Sequence, residues 1–445
     1  MRTSKIPLIL LALLWFAPRS KADVAVLLEE PYSYDGAFAG TGHAAVYLTR
    51  VCAESPLKLR RCLPGEPGVV ISRYHRIGGY DWLAIPFYPY VYAVDNPSQV
   101  PLMANPKLEA ALRDRYRRTY LEQIVPDLPG GSTPPGDWYE LLGSAYDRTL
   151  YAFQIETSAD QDDAFIEHYN SAPNSAAYQL VSRNCADFVR QAVNFYHPKA
   201  VRRSIVADLG ISTPKHSAKS LAQYSKHHPD LQFTAFVIPQ VPGSIRRSRP
   251  VRGLMESVFK AKKYELPLLV FYPAVAGGFA AAYIAEGRFN PAHNALIFGT
   301  NGELDAPLSA QERRSYSKAL AEVTRSDSEV KANSQLAAWR RLSSTAKLQP
   351  DLNGEPVLSL NSGDSQLQLG LTRENILNGS APRDVVQGAL IARLHDELRS
   401  GGAPKTSDAL LMQDWKLLNT SLGPETVSNE TRNRLPIRDL KSGTD

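Results

Sequence analysis

The chain has 445 residues, of which 43% are hydrophobic and 21% charged, a composition that predicts globular domains with a substantial core. Its formal net charge is +5, but four basic residues and no acidic residue lie within the first 22, so five less four leaves +1 for the remainder. That near-neutral remainder lacks the basic surface by which proteins attract nucleic acid, so we expect no nucleic-acid partner. The length allows two or three domains.

The N-terminal residues have the organisation of a secretory signal peptide. A basic start is followed by the apolar run 6–16 and by Ser20-Lys21-Ala22, with small residues where a signal peptidase reads them. The alternative is a retained anchor, although the apolar run is short for a membrane span. We therefore expect residues 1–22 to be removed and the protein to be exported, to the periplasm or the cell envelope.

Export bears on the three cysteines, because an oxidising compartment favours disulfides. Cys52 and Cys62 lie close together in a turn-rich stretch and are expected to form a disulfide, which leaves Cys185 as the free thiol. Three free thiols or a metal site are the alternatives, but the cysteines do not have the spacing of a zinc site. No metal and no cofactor is predicted.

Three short apolar segments predict strands at residues 24–28, 43–50 and 69–75. The second and third are expected to pair as an antiparallel hairpin with the disulfide at its tip. His43, at the start of one strand, would then face residues 72–75 at the end of the other.

Further along the chain, hydrophobic periodicity predicts a series of helices and one more strand. The predicted helices are 107–124, 138–150, 160–170, 186–196 and 217–224, the strand is 150–155, and 80–95 is expected to be an ordered loop or short strand.

Residues 251–300 are interpreted as a linker that contains an uncharged stretch, 266–285. That stretch is long enough to cross a bilayer, which favours membrane association. A buried core element is the alternative, because prolines and a Gly-Gly pair interrupt it. The lysines that precede it would lie on the outer side, against the positive-inside rule.

Residues 301–445 are expected to be mostly helical. A capping box at Ser309 to Glu312 predicts a helix to about residue 325, and residues 383–399 read as an amphipathic helix. Between them, alternation over 357–371 around Gly363-Asp364 predicts a β-hairpin.

Cys185 stands where a helix would stabilise its thiolate. Asn184 is a good N-cap and Asp187 follows three residues later, so Cys185 falls in the first helical turn. That position lowers a thiol pKa, and its backbone amides point toward a developing oxyanion. Each feature alone is commonly structural, but together they predict a nucleophile, with Asn184 and Asp187 in support.

His43 is the candidate general base for that thiol, and a third polar group would orient its imidazole. His75 is the first choice for the third member, because it can lie across the hairpin from His43. Arg73 and Ser72, from the same strand end, are its rivals, and a surface position is the alternative for His75.

The order of these motifs resembles a known superfamily. Gly42-His43 opening a strand, a polar residue ending the next strand, and Asn184-Cys185 opening a helix resemble the circularly permuted papain-like proteins. These include NlpC-type hydrolases and lecithin–retinol acyltransferase-like proteins. The sequence around Gly42-His43 and Arg183-Asn184-Cys185 is also similar to the N-terminal periplasmic domain of bacterial lipoprotein transacylases.

The resemblance covers roughly residues 24–240 and implies an α+β fold in which an antiparallel sheet packs on the cysteine helix. It implies a thiol domain over 23–250 with Cys185 as nucleophile, His43 as base and His75 as third member. Two departures stand out. The inter-strand loop is long, and Cys185-Ala186-Asp187-Phe188 lacks the histidine of the acyltransferase version.

The sequence therefore predicts an exported cysteine hydrolase or acyltransferase that acts on an amide or ester bond through an acyl-enzyme. An envelope peptide, lipoprotein or lipid is the expected substrate. The alternative is a non-catalytic binding or scaffold protein on the same fold, whose clustered aromatic residues over 80–92 would line a groove.

Overall fold

A computed structural model describes residues 22–306, apart from 33–38, 76, 102–103, 105, 176–177, 242–247, 261–269, 300–301 and 303, together with three segments, 347–350, 356–362 and 365–370. The described elements are mixed α and β, as the sequence predicts. The signal-peptide prediction and the two predicted helices at 309–325 and 383–399 lie outside the described residues.

The strands of residues 22–306 are Ala22–Glu29 (β1), His43–Leu48 (β2), Val51–Ser55 (β3), Lys58–Arg61 (β4), Val69–Ser72 (β5), Leu83–Pro86 (β6), Leu150–Thr157 (β7), Thr234–Ile238 (β8), Leu296–Phe298 (β9) and Leu304–Asp305 (β10). All except β3 and β4 form one sheet, in the order β10-β9-β8-β7-β1-β2-β5-β6. Neighbouring strands are antiparallel except β8 and β9, which are parallel. The sheet therefore continues past residue 250, where the sequence predicts a domain boundary.

The three strands predicted near the N-terminus are confirmed, and so is the pairing of the second with the third. β2 and β5 pair antiparallel, with Val46 opposite Ile71. β1 lies between β2 and β7, and its apolar run is completely buried, since both faces of the sheet are covered. This burial explains why β1 reads as a continuous hydrophobic run rather than an alternating one.

The described helices are Phe87–Tyr92 (α1), Pro106–Tyr116 (α2), Ser144–Asp147 (α3), Ala159–Ser171 (α4), Cys185–Tyr196 (α5), Ile205–Asp208 (α6), Pro214–Lys226 (α7), Leu254–Lys260 (α8) and Pro273–Ala282 (α9). Residues of α1, α2 and α3 pack on one face of the sheet. Residues of α4, α5 and α7 pack on the other. Each face thus buries its own apolar core, with the sheet between them.

Helix α5 is placed by its apolar stripe. Five of its residues, Phe188, Val189, Ala192, Val193 and Tyr196, recur at helical spacing and are buried against the sheet. The helix contacts β2 and β5, so its first turn comes to the end of the sheet where β2 begins. This contact is what brings the candidate cysteine toward the candidate histidine.

A disulfide joins Cys52 to Cys62, as predicted, and Cys185 is the free cysteine. The bridge ties β3 to β4, a two-stranded hairpin inserted between β2 and β5. The predicted long hairpin is therefore present, with the disulfide in its connecting segment.

Two predicted elements differ from the structure. The helix predicted over 138–150 is a 3₁₀ turn at Asp137–Leu141 followed by the short α3, because Gly143 takes a left-handed φ of 65° and interrupts it. Residues 80–95 contain the short strand β6, one of the two structures expected there, followed by the helix α1, which the sequence does not predict. In both places the aromatic residues are buried and decide the local structure.

Within the part of the chain that the structure describes, no helix is long and apolar enough to cross a membrane. The uncharged stretch predicted at 266–285 includes α9, while 261–269 lie outside the described residues. In the C-terminal region, Lys347–Pro350 (β11), Pro356–Ser362 (β12) and Ser365–Gly370 (β13) form a small antiparallel sheet. The predicted hairpin is confirmed, with Ser362 opposite Ser365.

Candidate active site

The first turn of α5 holds Cys185 through its cap. The Asn184 side chain accepts a hydrogen bond from the backbone N–H of Asp187 at 2.9 Å, as the sequence predicts. Its amide group donates to the carbonyl oxygens of Leu180 and Ser212, at 2.9 and 3.0 Å. Asn184 is buried and fixed on both sides, so the start of the helix is rigidly placed.

His43 is placed by the sheet. It is the first residue of β2, it pairs with Glu29 of β1, and its side chain is buried. Its Nε2 lies 2.6 Å from Oγ of Ser72, the last residue of β5. The histidine and the cysteine therefore come from opposite sides of one junction, between the start of β2 and the start of α5.

The hydrogen bond from Ser72 to the backbone fixes the direction of the bond to His43. The Ser72 hydroxyl donates to the carbonyl oxygen of Ala44 at 3.1 Å, so its oxygen accepts from the ring. His43 therefore carries a proton on Nε2, which leaves Nδ1 for the thiol. A second partner that fixes the tautomer is what a base in acyl transfer requires.

His43 and Cys185 form a hydrogen-bonded pair in which each favours the charged form of the other. Burial acts to lower the pKa of His43, but the attraction and hydrogen bond of Cys185, with smaller contributions from Glu29 and Glu140, raise it to about 9. Burial acts to raise the pKa of the Cys185 thiol, but the imidazolium of His43 lowers it below its ordinary value, helped by the amides of Ala44 and Ala186. Each group therefore shifts the other toward its charged form, a thiolate beside an imidazolium.

A buried polar layer lies behind His43. The Tyr74 ring stacks on the imidazole with centroids 4.5 Å apart, and its hydroxyl lies 3.0 Å from that of Tyr90. The Tyr90 hydroxyl donates to Glu29, whose other carboxylate oxygen lies 3.2 Å from a guanidinium nitrogen of Arg148. This layer fixes the plane of the ring and places a buried carboxylate behind the imidazolium.

The sequence does not single out Glu29, Tyr74 or Arg148 of this layer, and it offers Tyr90 only as one of the aromatic residues over 80–92 that would line a groove. Glu29, Tyr90 and Arg148 are buried, yet they come from three distant segments. The signal available was the acidic pair Glu29-Glu30, which follows the apolar run 24–28. A carboxylate in that position must have a partner, because burying an unpaired charge is costly.

The two supporting residues predicted beside the helix start have clear partners. Asp187 is completely buried, and its Oδ1 accepts from Arg203 at 2.5 Å and from the Ser212 hydroxyl at 2.6 Å. Arg73 is buried, pairs with Asp81 at 2.6 Å, and holds its guanidinium 5.3 Å from the centre of the Phe188 ring. Both residues therefore anchor the first turns of α5.

The position that the sequence analysis gave to His75 is occupied by Ser72. The His75 side chain is about half exposed, and its Nδ1 lies 3.8 Å from Asp137. β5 ends at Ser72, so the chain has left the sheet before it reaches His75. Ser72, the rival candidate from the same strand end, therefore makes the hydrogen bond to His43, and His75 lies on the surface.

Substitution of Ser72 by alanine tests which residue orients His43. Ser72→Ala removes the acceptor for the Nε2 proton, so we expect the pKa of Cys185 to rise toward its ordinary value and alkylation at pH 7 to slow by about three- to tenfold. The pH dependence of iodoacetamide labelling measures this. His75→Ala is the matched control and should leave the profile unchanged; the reverse pattern would restore His75 as the third member.

Among the described residues, one group of possible metal ligands is close enough to bind an ion: Cys52, Cys62 and Glu66. Both sulphur atoms of that group are joined in the disulfide, so they are not available as thiolate ligands. The donor set therefore does not fit a metal centre.

Comparison of the chain with protein-family models, with curated proteins and with solved structures gives no match.

Proposed function

We propose that this protein is an exported thiol enzyme that transfers or hydrolyses an acyl group through an acyl-enzyme on Cys185. The observation that carries the proposal is the buried hydrogen-bonded pair of Cys185 and His43, in which the thiol pKa is lowered and the imidazole pKa is raised. Mutual shifts of this kind between a nucleophile and a base are typical of catalytic sites.

The proposed reaction has two steps. The Cys185 thiolate attacks the carbonyl carbon of an amide or ester, and His43 gives its proton to the departing nitrogen or oxygen, which leaves a thioester. Neutral His43 then takes a proton from water or from an acceptor alcohol or amine, which attacks the thioester and releases the thiolate. Backbone amides in the first turn of α5 supply donors for the oxyanion.

The proposed fold assignment is the permuted papain-like one. It is supported by the order of the site residues, with His43 opening a strand and Cys185 opening a helix that packs on the antiparallel sheet. Envelope peptides, lipoproteins and lipids remain the proposed substrates, and the periplasm or cell envelope the proposed location.

The pH dependence of alkylation tests the proposal in the chain from Asp23 to Asp445. With the disulfide intact, Cys185 is the one thiol, so the label reports on it alone. We expect iodoacetamide labelling to reach its plateau well below the ordinary thiol pKa of about 8.5. Turnover of an ester should rise as the thiolate forms and fall above pH 9 as His43, with its pKa of about 9, loses the proton that it donates.

An ordinary thiol pKa would contradict the proposal and favour the binding protein. A low thiol pKa without ester turnover would support Cys185 as a nucleophile and would mean that the ester tested is not a substrate.

A further inference from the structure

A surface formed by two segments is apolar although it faces solvent. We call it the apolar face; it consists of Ile205, Val206, Leu209, Val270, Phe271, Tyr272, Val275 and Ile284, all exposed. α6 contacts α9 and the turn at Tyr283–Gly287, so the two segments are contiguous. Ile205 is 79% exposed and Phe271 72% exposed, and in α9 the buried residue is Ala276. An apolar patch of this extent marks a binding surface.

Leu209 is held in this surface at a conformational cost. Its φ is 53°, in the left-handed region that favours glycine or asparagine. It caps the C-terminal end of α6, and yet its apolar side chain is 60% exposed. Neither the positive φ nor the exposed position favours leucine there, which indicates that the Leu209 side chain contacts a partner other than the described residues.

Among the described residues, the charged side chains beside the apolar face that reach solvent include Lys219 and Lys260. Lys219 lines a pocket with Lys215, His216 and Tyr283, and Lys260 lies beside the same tyrosine with its side chain 39% exposed, whereas Lys215 is 7% exposed. The acidic residues of this pocket, Asp208 and Glu256, are 1% and 6% exposed.

Both carboxylates also have close partners. Asp208 accepts from Thr213 and from the Leu254 amide, and Glu256 pairs with Lys215 and Lys260. Among the described residues of this pocket and its edge, the charges that remain accessible are therefore cationic.

We propose that the apolar face lies in the surface of a membrane that contains anionic lipids. An apolar helix face with cations at its border is complementary to acyl chains and phosphate headgroups. α9 and the π-helical turn Tyr283–Gly287 that continues it extend no more than about 22 Å at 1.5 Å per residue, short of a hydrocarbon core of roughly 30 Å, so we place this helical segment in the interface.

The elements beside this surface also hold the candidate active site. The Ser212 carbonyl accepts from Asn184, the cap of α5, and Arg203 binds Asp187. On the other side, the Arg252 amide donates to the carbonyl oxygen of Gly40, close before His43. Membrane binding would therefore place Cys185 beside the interface, where a substrate with an acyl chain can reach it; this last step rests on the proposed function.

Sedimentation with phospholipid vesicles tests the surface, using the chain from Asp23 to Asp445. Vesicles of phosphatidylcholine, with and without phosphatidylglycerol, separate the apolar from the electrostatic contribution. We expect wild-type protein to prefer the anionic vesicles, and the double variant Ile205→Ser/Leu209→Asn to bind them at least about tenfold more weakly. Lys219→Gln/Lys260→Gln should reduce the preference for phosphatidylglycerol.

The design separates loss of the surface from loss of the fold. Asparagine accepts a left-handed φ, so Leu209→Asn alone should bind more weakly while its thermal midpoint is unchanged or higher. Leu63→Ser, which changes a leucine that is 64% exposed in the disulfide-linked hairpin region, is the matched control and should bind as wild type does.

Three results would overturn the proposal, and the first two are no binding of wild-type protein to either vesicle and equal binding of the apolar-face variants and the control. Dimerisation that is lost in Ile205→Ser/Leu209→Asn would also overturn it and assign the face to a second copy of the chain. Iodoacetamide labelling of Cys185 is measured on the same samples. A low thiol pKa without vesicle binding rejects the surface alone, whereas vesicle binding with an ordinary thiol rejects the proposed function alone.

Discussion

Replacing His43 by glutamine is expected to slow alkylation of Cys185 at pH 7 by about tenfold or more and acyl transfer by about 10²–10⁴-fold. Burial is the largest influence on the thiol and acts to raise its pKa, while His43 is the group that reverses this effect. Without the imidazolium the desolvation is no longer opposed by a charge, so the thiol pKa should move above its ordinary value. Little thiolate would then exist at neutral pH.

Glutamine is chosen because its amide can keep the hydrogen bond to Ser72, so the end of β2 should be preserved. The measurement is the full pH profile of iodoacetamide labelling, with circular dichroism to verify the fold. His197→Gln is the matched control. His197 caps the far end of α5, where its ring contacts the carbonyl oxygen of Glu156, and it should leave the profile of Cys185 unchanged.

A His43→Gln profile that matches wild type would show that the helix start and the amides of Ala44 and Ala186 set the thiol pKa by themselves. The imidazole would then have no part in activating Cys185, and the role of His43 as base would be lost.

The elements with local signals could be predicted from the sequence. The N-cap Asn184 fixes the start of α5 through one hydrogen bond to a residue three positions on, and such a signal is contained in four consecutive residues. The buried run of β1 and the spacing of Cys52 and Cys62 are equally local. These features were sufficient to bring Cys185 and His43 into one hypothesis.

The third residue of the site could not be chosen from the sequence, because the choice depends on the register in which β2 pairs with β5. Val46 pairs with Ile71, and continuing that ladder places Ser72 opposite Ala45, which shares a face of the sheet with His43. In an extended chain His75 would have pointed to the other face, and the strand ends before it. A shift of one residue would have reversed the choice, and sequence alone does not fix register to that accuracy.

The buried layer behind His43 shows a second limit of prediction from the sequence. Glu29, Tyr90 and Arg148 come together because β1, α1 and the link between α3 and β7 meet at one end of the sheet. Each residue looks ordinary within its own segment, and its role exists only in the folded arrangement. Tertiary packing likewise replaced the helix predicted at 138–150, since Trp138, Leu141 and Tyr146 are needed in the core between α1 and the sheet.

Gly42 lies directly before His43, where β2 approaches β1. Gly42→Ala is expected to destabilise the protein by about 2–4 kcal/mol. Gly42 has a φ of 70°, and a Cβ atom there would lie 2.1 Å from the carbonyl oxygen of Glu29. That atom is backbone and cannot rotate away, so β1 and β2 must separate where Glu29 pairs with His43. The same displacement should move His43 from the thiol and slow alkylation of Cys185 at pH 7.

Gly79→Ala separates the two causes of this loss. Gly79 also has a positive φ, 80°, but a Cβ atom there would meet nothing within 4 Å. Its substitution should cost only the conformational strain, about 1 kcal/mol, and should leave Cys185 as reactive as in wild type. The shift in the midpoint of urea unfolding and the alkylation rate, measured on both variants, provide the comparison. Equal shifts would mean that φ strain alone accounts for Gly42, and an unchanged alkylation rate in Gly42→Ala would mean that the approach of Glu29 does not position the imidazole.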